Sequence, residues 1–242
     1  MKHRQIMKKI IYLAICALAL TFAACEYDNY DEPGSRFSGR ILYNGEQLGF
    51  GYNEVYIELW EQGNWQLKEA IRVNVNIDGT FSQVLFDGDY KMVIPKSARP
   101  FLVEQDTVLL KIRGNKEMDI EVTPYYTIEN VKYKYNAADD KLECTCSIKQ
   151  IVTDPAEAKT VNIMREYVGK TAYLYQGSQI NWHTLNTQNN PGGSLDNVIF
   201  SGPAVNSSKL PTAQNYIFGR VAVQVNGISP MLMTHPKKIT FR

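Results

Sequence analysis

The chain has 242 residues, 44% of them apolar, with 26 Lys+Arg against 25 Asp+Glu and a formal net charge of +1. So even a balance offers no clustered cationic surface for a phosphate backbone, which excludes nucleic acid as a partner. The length suits one or two ordinary cores, and no stretch beyond the first two dozen residues approaches the roughly 20 apolar residues that a membrane-spanning helix needs.

Lys2, Arg4, Lys8 and Lys9 precede an uncharged apolar run from Ile10 to Phe22, followed by Ala23-Ala24, which is the order of a signal peptide. A run of about 13 residues is too short for a bilayer span. Phe22-Ala23-Ala24-Cys25 resembles the bacterial lipobox, although Phe22 stands where Leu is commoner. The resemblance implies that residues 1–24 are removed and that Cys25 carries a membrane anchor of two or three acyl chains, enough for stable attachment; plain secretion with Cys25 as a stray thiol is the alternative. Four basic and no acidic residues leave with the signal, so 22 Lys+Arg face 25 Asp+Glu over the remaining 218 residues.

Residues 25–35 follow as a tether. Glu26, Asp28, Asp31 and Glu32 crowd four carboxylates into seven residues without apolar periodicity. Ten extended residues reach roughly 33 Å, enough to lift a domain off the headgroups. The acidic run resembles the export signal that sends Bacteroidetes lipoproteins to the outer face of the outer membrane. It therefore implies an outer-membrane, cell-surface location; a charged linker facing the periplasm is the alternative.

From Arg36 to Pro124 short alternating runs are separated by turn signals at Asn44-Gly45, Gly63-Asn64, Asp78-Gly79, Asp87-Gly88 and Gly114-Asn115. Val55/Ile57/Leu59 and Ile71/Val73/Val75/Ile77 are apolar at every second position, so each strand buries one face. About seven such strands predict a β-sandwich over residues 36–124.

Residues 125–242 repeat the pattern as a second β-sandwich. Val131/Tyr133/Tyr135 alternate with Lys132/Lys134, and Leu142 to Ile148 places Cys144 and Cys146 on one inward face. Side chains at i and i+2 lie about 7 Å apart, too far for a disulfide, and no second Cys/His group supplies a metal site, so the two thiols read as small core hydrophobes. Asp154-Pro155-Ala156-Glu157 has the cap and first turn of a short helix. Gln176 to Pro211, rich in Asn, Gln, Gly, Ser and Pro, reads as a long loop region. Tyr216 to Ser229 and Lys237 to Phe241 read as the last two strands.

Ser38-Gly39-Arg40-Ile41, Val55 to Leu59, Asp78-Gly79-Thr80-Phe81 and Asp87 to Met92 resemble the carboxypeptidase-regulatory, transthyretin-like domain, a β-sandwich accessory module. The stretch Tyr216 to Ser229 is similar to the penultimate strand and turn of an immunoglobulin or fibronectin type III-like sandwich. Leu85-Phe86-Asp87-Gly88-Asp89-Tyr90, Arg99-Pro100-Phe101 and Val122-Thr123-Pro124-Tyr125, in that order, resemble a family of Bacteroidetes lipoproteins of unknown function. That resemblance covers nearly the whole mature chain. It implies an all-β chain of two sandwiches in tandem, acting as an accessory to an outer-membrane glycan-uptake system, with a polysaccharide or oligosaccharide and uptake proteins as partners.

Catalytic chemistry finds little support. Two histidines remain after the signal, His183 and His235, without partners at useful spacing, and no G-x-S-x-G, H-E-x-x-H, Walker or dinucleotide motif occurs. The expectation is a non-enzymatic chain with no cofactor and no metal. Sugar rings lay their C–H faces on flat aromatic surfaces, which makes aromatics outside the core the candidates for glycan binding. Trp182, beside Asn181, is one; a tryptophan plugging the edge of the second domain is its alternative. Tyr56, Trp60 and Trp65, outward of Val55/Ile57/Leu59, form another, whose alternative is a contact surface between the domains. A structural or protein-docking subunit of an envelope assembly is the rival to glycan binding. Asp106-Thr107-Val108 resembles the Asp-Thr-aliphatic site at which Bacteroidetes attach O-glycans, which makes Thr107 an expected modification site.

Overall fold

The computed structural model describes residues 31–64, 68–176, 181–188, 193–205, 207–211 and 213–241; along the strand Asn181–Gln188 and at residues 202–204 and 209 the description is confined to the backbone. The signal peptide, Cys25, the tether as far as Tyr30, and Trp65 lie outside the described residues. Gly34–Arg242 folds as one unit of two β-sandwiches in tandem.

The first sandwich is built around strand Ser35–Tyr43. It pairs antiparallel with Thr80–Leu85 and parallel with Lys116–Glu117 and Ile120–Pro124, while Phe101–Val103 extends the sheet beyond Ile120–Pro124. The facing sheet runs Ile71–Asn74, Tyr56–Glu61, Gly88–Val93, Val108–Ile112. Alternation does what the sequence requires: Phe37, Ile41, Ile57, Leu59, Val73, Phe81, Tyr90 and Ile112 meet between the sheets. Each such side chain, fully buried, contributes about 1.5–3 kcal/mol of hydrophobic stabilisation before entropy is counted. Asn44-Gly45, both at positive φ, forms the tight turn that lets Glu46–Gln47 fold back on Ser35–Tyr43.

In the second sandwich, a sheet of Tyr126–Asn136, Lys141–Gln150 and Leu195–Ala204 faces one ordered Asn181–Gln188, Val161–Gly169, Tyr216–Val225, Leu232–Met233, Gly49–Phe50; Lys237–Thr240 also joins Tyr216–Val225. Cys144 and Cys146 are buried, unbridged, and packed with Tyr126, Met164, Phe200 and Val221. Burial pushes both thiols up, Cys146 to about 11, so they stay protonated and behave as apolar groups.

Two expectations fail here. The stretch read as one long loop from Gln176 contains the strands Asn181–Gln188 and Leu195–Ala204. Strand pairing satisfies backbone donors and acceptors whatever the side chains, so Asn181–Gln188, rich in Asn and Thr, is recruited to a sheet edge without an apolar alternation to announce it. The short helix at Asp154 is a single turn: Asp154 Oδ1 accepts from Ala156 N and its carbonyl accepts from Glu157 N and Ala158 N, but no further turn follows.

The strand Gly49–Phe50 belongs by sequence to the first sandwich and by pairing to the second, where Phe50 pairs with Leu232 and Gly49 with Met233. Leu232 in turn enters the first core. This shared sheet buries Tyr216–Val225 on both faces: Val221, Val223 and Val225 look into the second core, while Arg220 reaches Phe50 and Ile77 of the first sandwich and Ala222 packs with Tyr167, Leu174, Met231 and Met233. The surface between the halves is therefore fixed by backbone pairing as well as packing.

Candidate functional site

After Phe50 the chain must turn sharply out of the shared sheet. Asn53 takes φ of 56°, and Glu54 folds back over Gly51, where a Cβ would overlap its carboxylate and displace it. Glu54 Oε2 then accepts from Met231 N at 2.9 Å. Burial pushes the Glu54 carboxyl above the usual carboxylate range, opposed by that hydrogen bond and by the charges of Arg220 and Arg165. Arg220 is fully buried and donates to four carbonyls: Thr234 at 2.7 Å, Leu174 at 2.9 Å, Ile77 at 3.1 Å and Phe50 at 3.2 Å. Desolvation lowers its pKa to about 10, still well above neutrality, so the guanidinium stays charged.

The same turn lifts Tyr52 out of the core, 46% exposed, with its ring 5.4 Å from that of Tyr175. Tyr52, Glu54, Tyr56, Gln176, Ser229 and Pro230 line an open cleft of about 410 Å³ between the halves. Gln176 is positioned by Arg165, whose Nη1 donates to Gln176 Oε1 at 2.9 Å. Arg72 lies 3.8 Å from the centroid of the Tyr56 ring and donates to Asn53 O and Asn74 Oδ1, which pins the turn beside it. Chemically this is an aromatic surface next to a carboxylate, an amide and a hydroxyl, the mixture that recognises a polar ring with apolar faces.

Of the residues singled out in the sequence, Tyr56 is the one that lines this cleft among the described residues. Trp60 stands on the outer face of the four-stranded sheet, about 13 Å further along the same strand by its four-residue separation. There its Nε1 donates to Glu58 Oε2 at 3.1 Å, with Lys91 Nζ 5.9 Å from the ring centroid. Trp65 lies outside the described residues. Asn181 and Trp182 fall on an edge strand, with Asn181 opposite Gly169, rather than in a loop. Thr107 is exposed on the 104–107 loop, next to Asp106, which the hydrogen bond from Arg99 holds below the usual carboxylate range.

Sequence reading passed over Tyr52, Glu54, Tyr175 and Gln176. A signal existed for two of them. Gly51-Tyr52-Asn53 places an aromatic between two turn formers, where burial is hard to arrange, and Tyr173-Leu174-Tyr175 alternates around a fully buried Leu174. That the two segments meet across some 120 residues of chain is a fact of tertiary structure. Among the described residues no group of three His, Cys, Asp or Glu is arranged to hold a metal ion.

The fold and cleft define a class: an all-β protein of two sandwiches locked by a shared sheet, with a polar-aromatic cleft at the join. The chain belongs to the DUF3823 family. Residues 35–123 match its "Protein of unknown function (DUF3823) N-terminal domain", and residues 126–238 match its "Domain of unknown function (DUF3823_C)". A crystal structure of a DUF3823 family protein from Parabacteroides merdae is similar at a TM-score of 0.70 and 25% identity, covering 87% of this chain and 100% of the other. One from Bacteroides ovatus is similar at 0.69 and 23%, covering 86% and 100%. A third, from Bacteroides uniformis, described as a "putative carbohydrate binding protein", shares the fold at 0.65 with 14% identity, covering 87% and 100%. No curated protein matches the chain.

Proposed function

We propose that this chain is a non-catalytic, lipid-anchored surface protein that binds a glycan in the cleft between its two sandwiches. The observation that carries the reading is the half-exposed Tyr52 ring, braced by Tyr175 and flanked by Glu54, Gln176 and Ser229. A braced ring loses little rotamer freedom on binding, so a sugar stacked on it gains contact without a large ordering cost. The carbohydrate description of the Bacteroides uniformis relative fits the same reading. Placement at the outer membrane rests on Phe22-Ala23-Ala24-Cys25 and the acidic residues after it, and an accessory role beside outer-membrane uptake proteins suits a rigid binding module on a short tether. A glycan array probed with Gly34–Arg242, repeated with Tyr52→Ala, tests the cleft. Glycan binding lost in the variant supports it, whereas no glycan bound, or binding indifferent to Tyr52, overturns it.

A further inference from the structure

Ser97 lines the aromatic cleft on one side and, on the other, a second cavity of about 500 Å³. Its wall includes Lys96, Arg99, Asp106, Tyr125, Glu157 and Lys159. Two segments singled out in the sequence build this wall. Phe101 of Arg99-Pro100-Phe101 pairs with Pro124 of Thr123-Pro124-Tyr125, and Tyr125 N donates to Pro100 O at 3.3 Å, which sets Arg99 and the Tyr125 ring beside one another.

Arg99 is the unusual group. Only 3% of its side chain is exposed; Nη2 donates to Asp106 Oδ1 at 2.7 Å, while Nη1 is buried without a hydrogen-bond partner among the described residues. A guanidinium presents its donors as a planar fork matched to two oxygens of one anion. Asp106 uses a single oxygen on Arg99 and directs the other toward Lys96 Nζ at 3.5 Å, and its side chain is 62% exposed. It is thus a monodentate partner on a surface loop, able to turn into solvent when a better-fitted anion arrives. Lys159, its Nζ 5.8 Å from the centre of the Tyr125 ring, adds a second positive charge to the wall. Glu104 and Glu157 also line the cavity, so attraction here depends on the Arg99 fork and not on net charge.

We propose that this cavity is an anion subsite taking the carboxylate of a uronic-acid residue, so that the glycan bound by the neighbouring cleft is an acidic one. The inference rests on the glycan reading above and names the substrate class. The ligand carboxylate displaces Asp106, pairs with both amino groups of Arg99 and is flanked by Lys159, while an adjoining sugar of the same chain lies on Tyr52 past Ser97.

The test uses the full-length chain in detergent and three probes: a galacturonate oligosaccharide, the same oligosaccharide with its carboxyls reduced to alcohols, and free galacturonic acid. The acidic oligosaccharide is expected to bind roughly tenfold or more tightly than the reduced one, as a charge-assisted bidentate pair implies. Arg99→Lys and the partly exposed Lys159→Met should each shrink that preference, and Lys159→Met decides the matter if the Arg99 variant does not fold. Asp106→Asn should enlarge it by removing the internal competitor, an effect that a purely structural Arg99–Asp106 pair would not produce. Equal affinity for acidic and reduced forms, or a preference unchanged in Lys159→Met, overturns the subsite. If the reduced oligosaccharide binds equally well and loses affinity in Tyr52→Ala, the glycan cleft stands and the acidic class alone falls. If neither oligosaccharide binds, the acidic class falls and the array with Tyr52→Ala alone decides the glycan cleft. Free galacturonic acid binding as tightly as the oligosaccharide would mark a small-carboxylate site and also overturn the proposal.

Discussion

The carbonyl oxygen of Phe50 accepts a hydrogen bond from Arg220 Nη2 across 170 residues of sequence and across the join of the two sandwiches. Through that atom, and through Ile77 O beside it, the second half holds the strand and turn that carry Tyr52 and Glu54.

Arg220→Lys should therefore destabilise the whole unit by roughly 3–5 kcal/mol, the scale for breaking a buried charged group from its partners. An ammonium cannot reach four carbonyls that a planar guanidinium reaches. Urea denaturation monitored by tyrosine fluorescence measures the loss; a variant as stable as the parent would show that packing alone holds the halves together.

Glu54 makes stability depend on pH in a predictable direction. Its folded-state pKa lies above the ordinary value of 4.5, so the folded chain binds this proton more tightly than the unfolded one. The group's contribution is then full below the unfolded value and is lost as pH rises through the folded value. Glu54→Gln removes the titration, so the melting temperature of the variant relative to the parent should climb as pH rises above the ordinary value of 4.5. A difference that stays constant as pH rises would contradict the burial argument.

Tyr52→Ala should weaken glycan binding by about tenfold to a hundredfold, if a sugar on a tyrosine resembles in scale a base on an aromatic side chain. The lost ring contact with Tyr175 should cost only about 0.5–1.5 kcal/mol of stability. Trp60→Ala should leave affinity unchanged, because its ring stands on the far part of the sheet face. Calorimetry with any array hit, beside a thermal melt of each variant, separates these cases.

Cys25→Ala should abolish palmitate labelling and release the protein from the membrane fraction. With Glu26, Asp28, Asp31 and Glu32 all changed to alanine, labelling should persist while external protease no longer reaches the protein in intact cells. Membrane retention of the Cys25 variant, or unchanged protease sensitivity of the tether variant, would count against anchor and display respectively.

Native protein should be heavier than its polypeptide and lipid if Thr107 carries a glycan, and Thr107→Ala should lose the excess. The threonine is exposed on its loop, as an enzyme acting on it requires. An intact mass without excess would end the idea.

Residue order alone determined the two sandwiches, because period-two alternation in Val55/Ile57/Leu59, Ile71/Val73 and Leu142/Cys144/Cys146 leaves each strand one dry face and so dictates a facing sheet. It also determined that the thiols are inert, since i and i+2 on one strand cannot bridge. Edge strands escaped it. Asn181–Gln188 is recruited by backbone pairing to Val161–Gly169, and hydrogen bonds between main chains leave no mark on side-chain pattern. The site escaped it for a related reason. Tyr52 meets Tyr175, and Arg220 meets Phe50, only because two residues, Gly49 and Phe50, cross from one sandwich to pair in the other's sheet. A pairing so short carries no periodicity, and its partners, Leu232 and Met233, are chosen by the packing of the two completed cores.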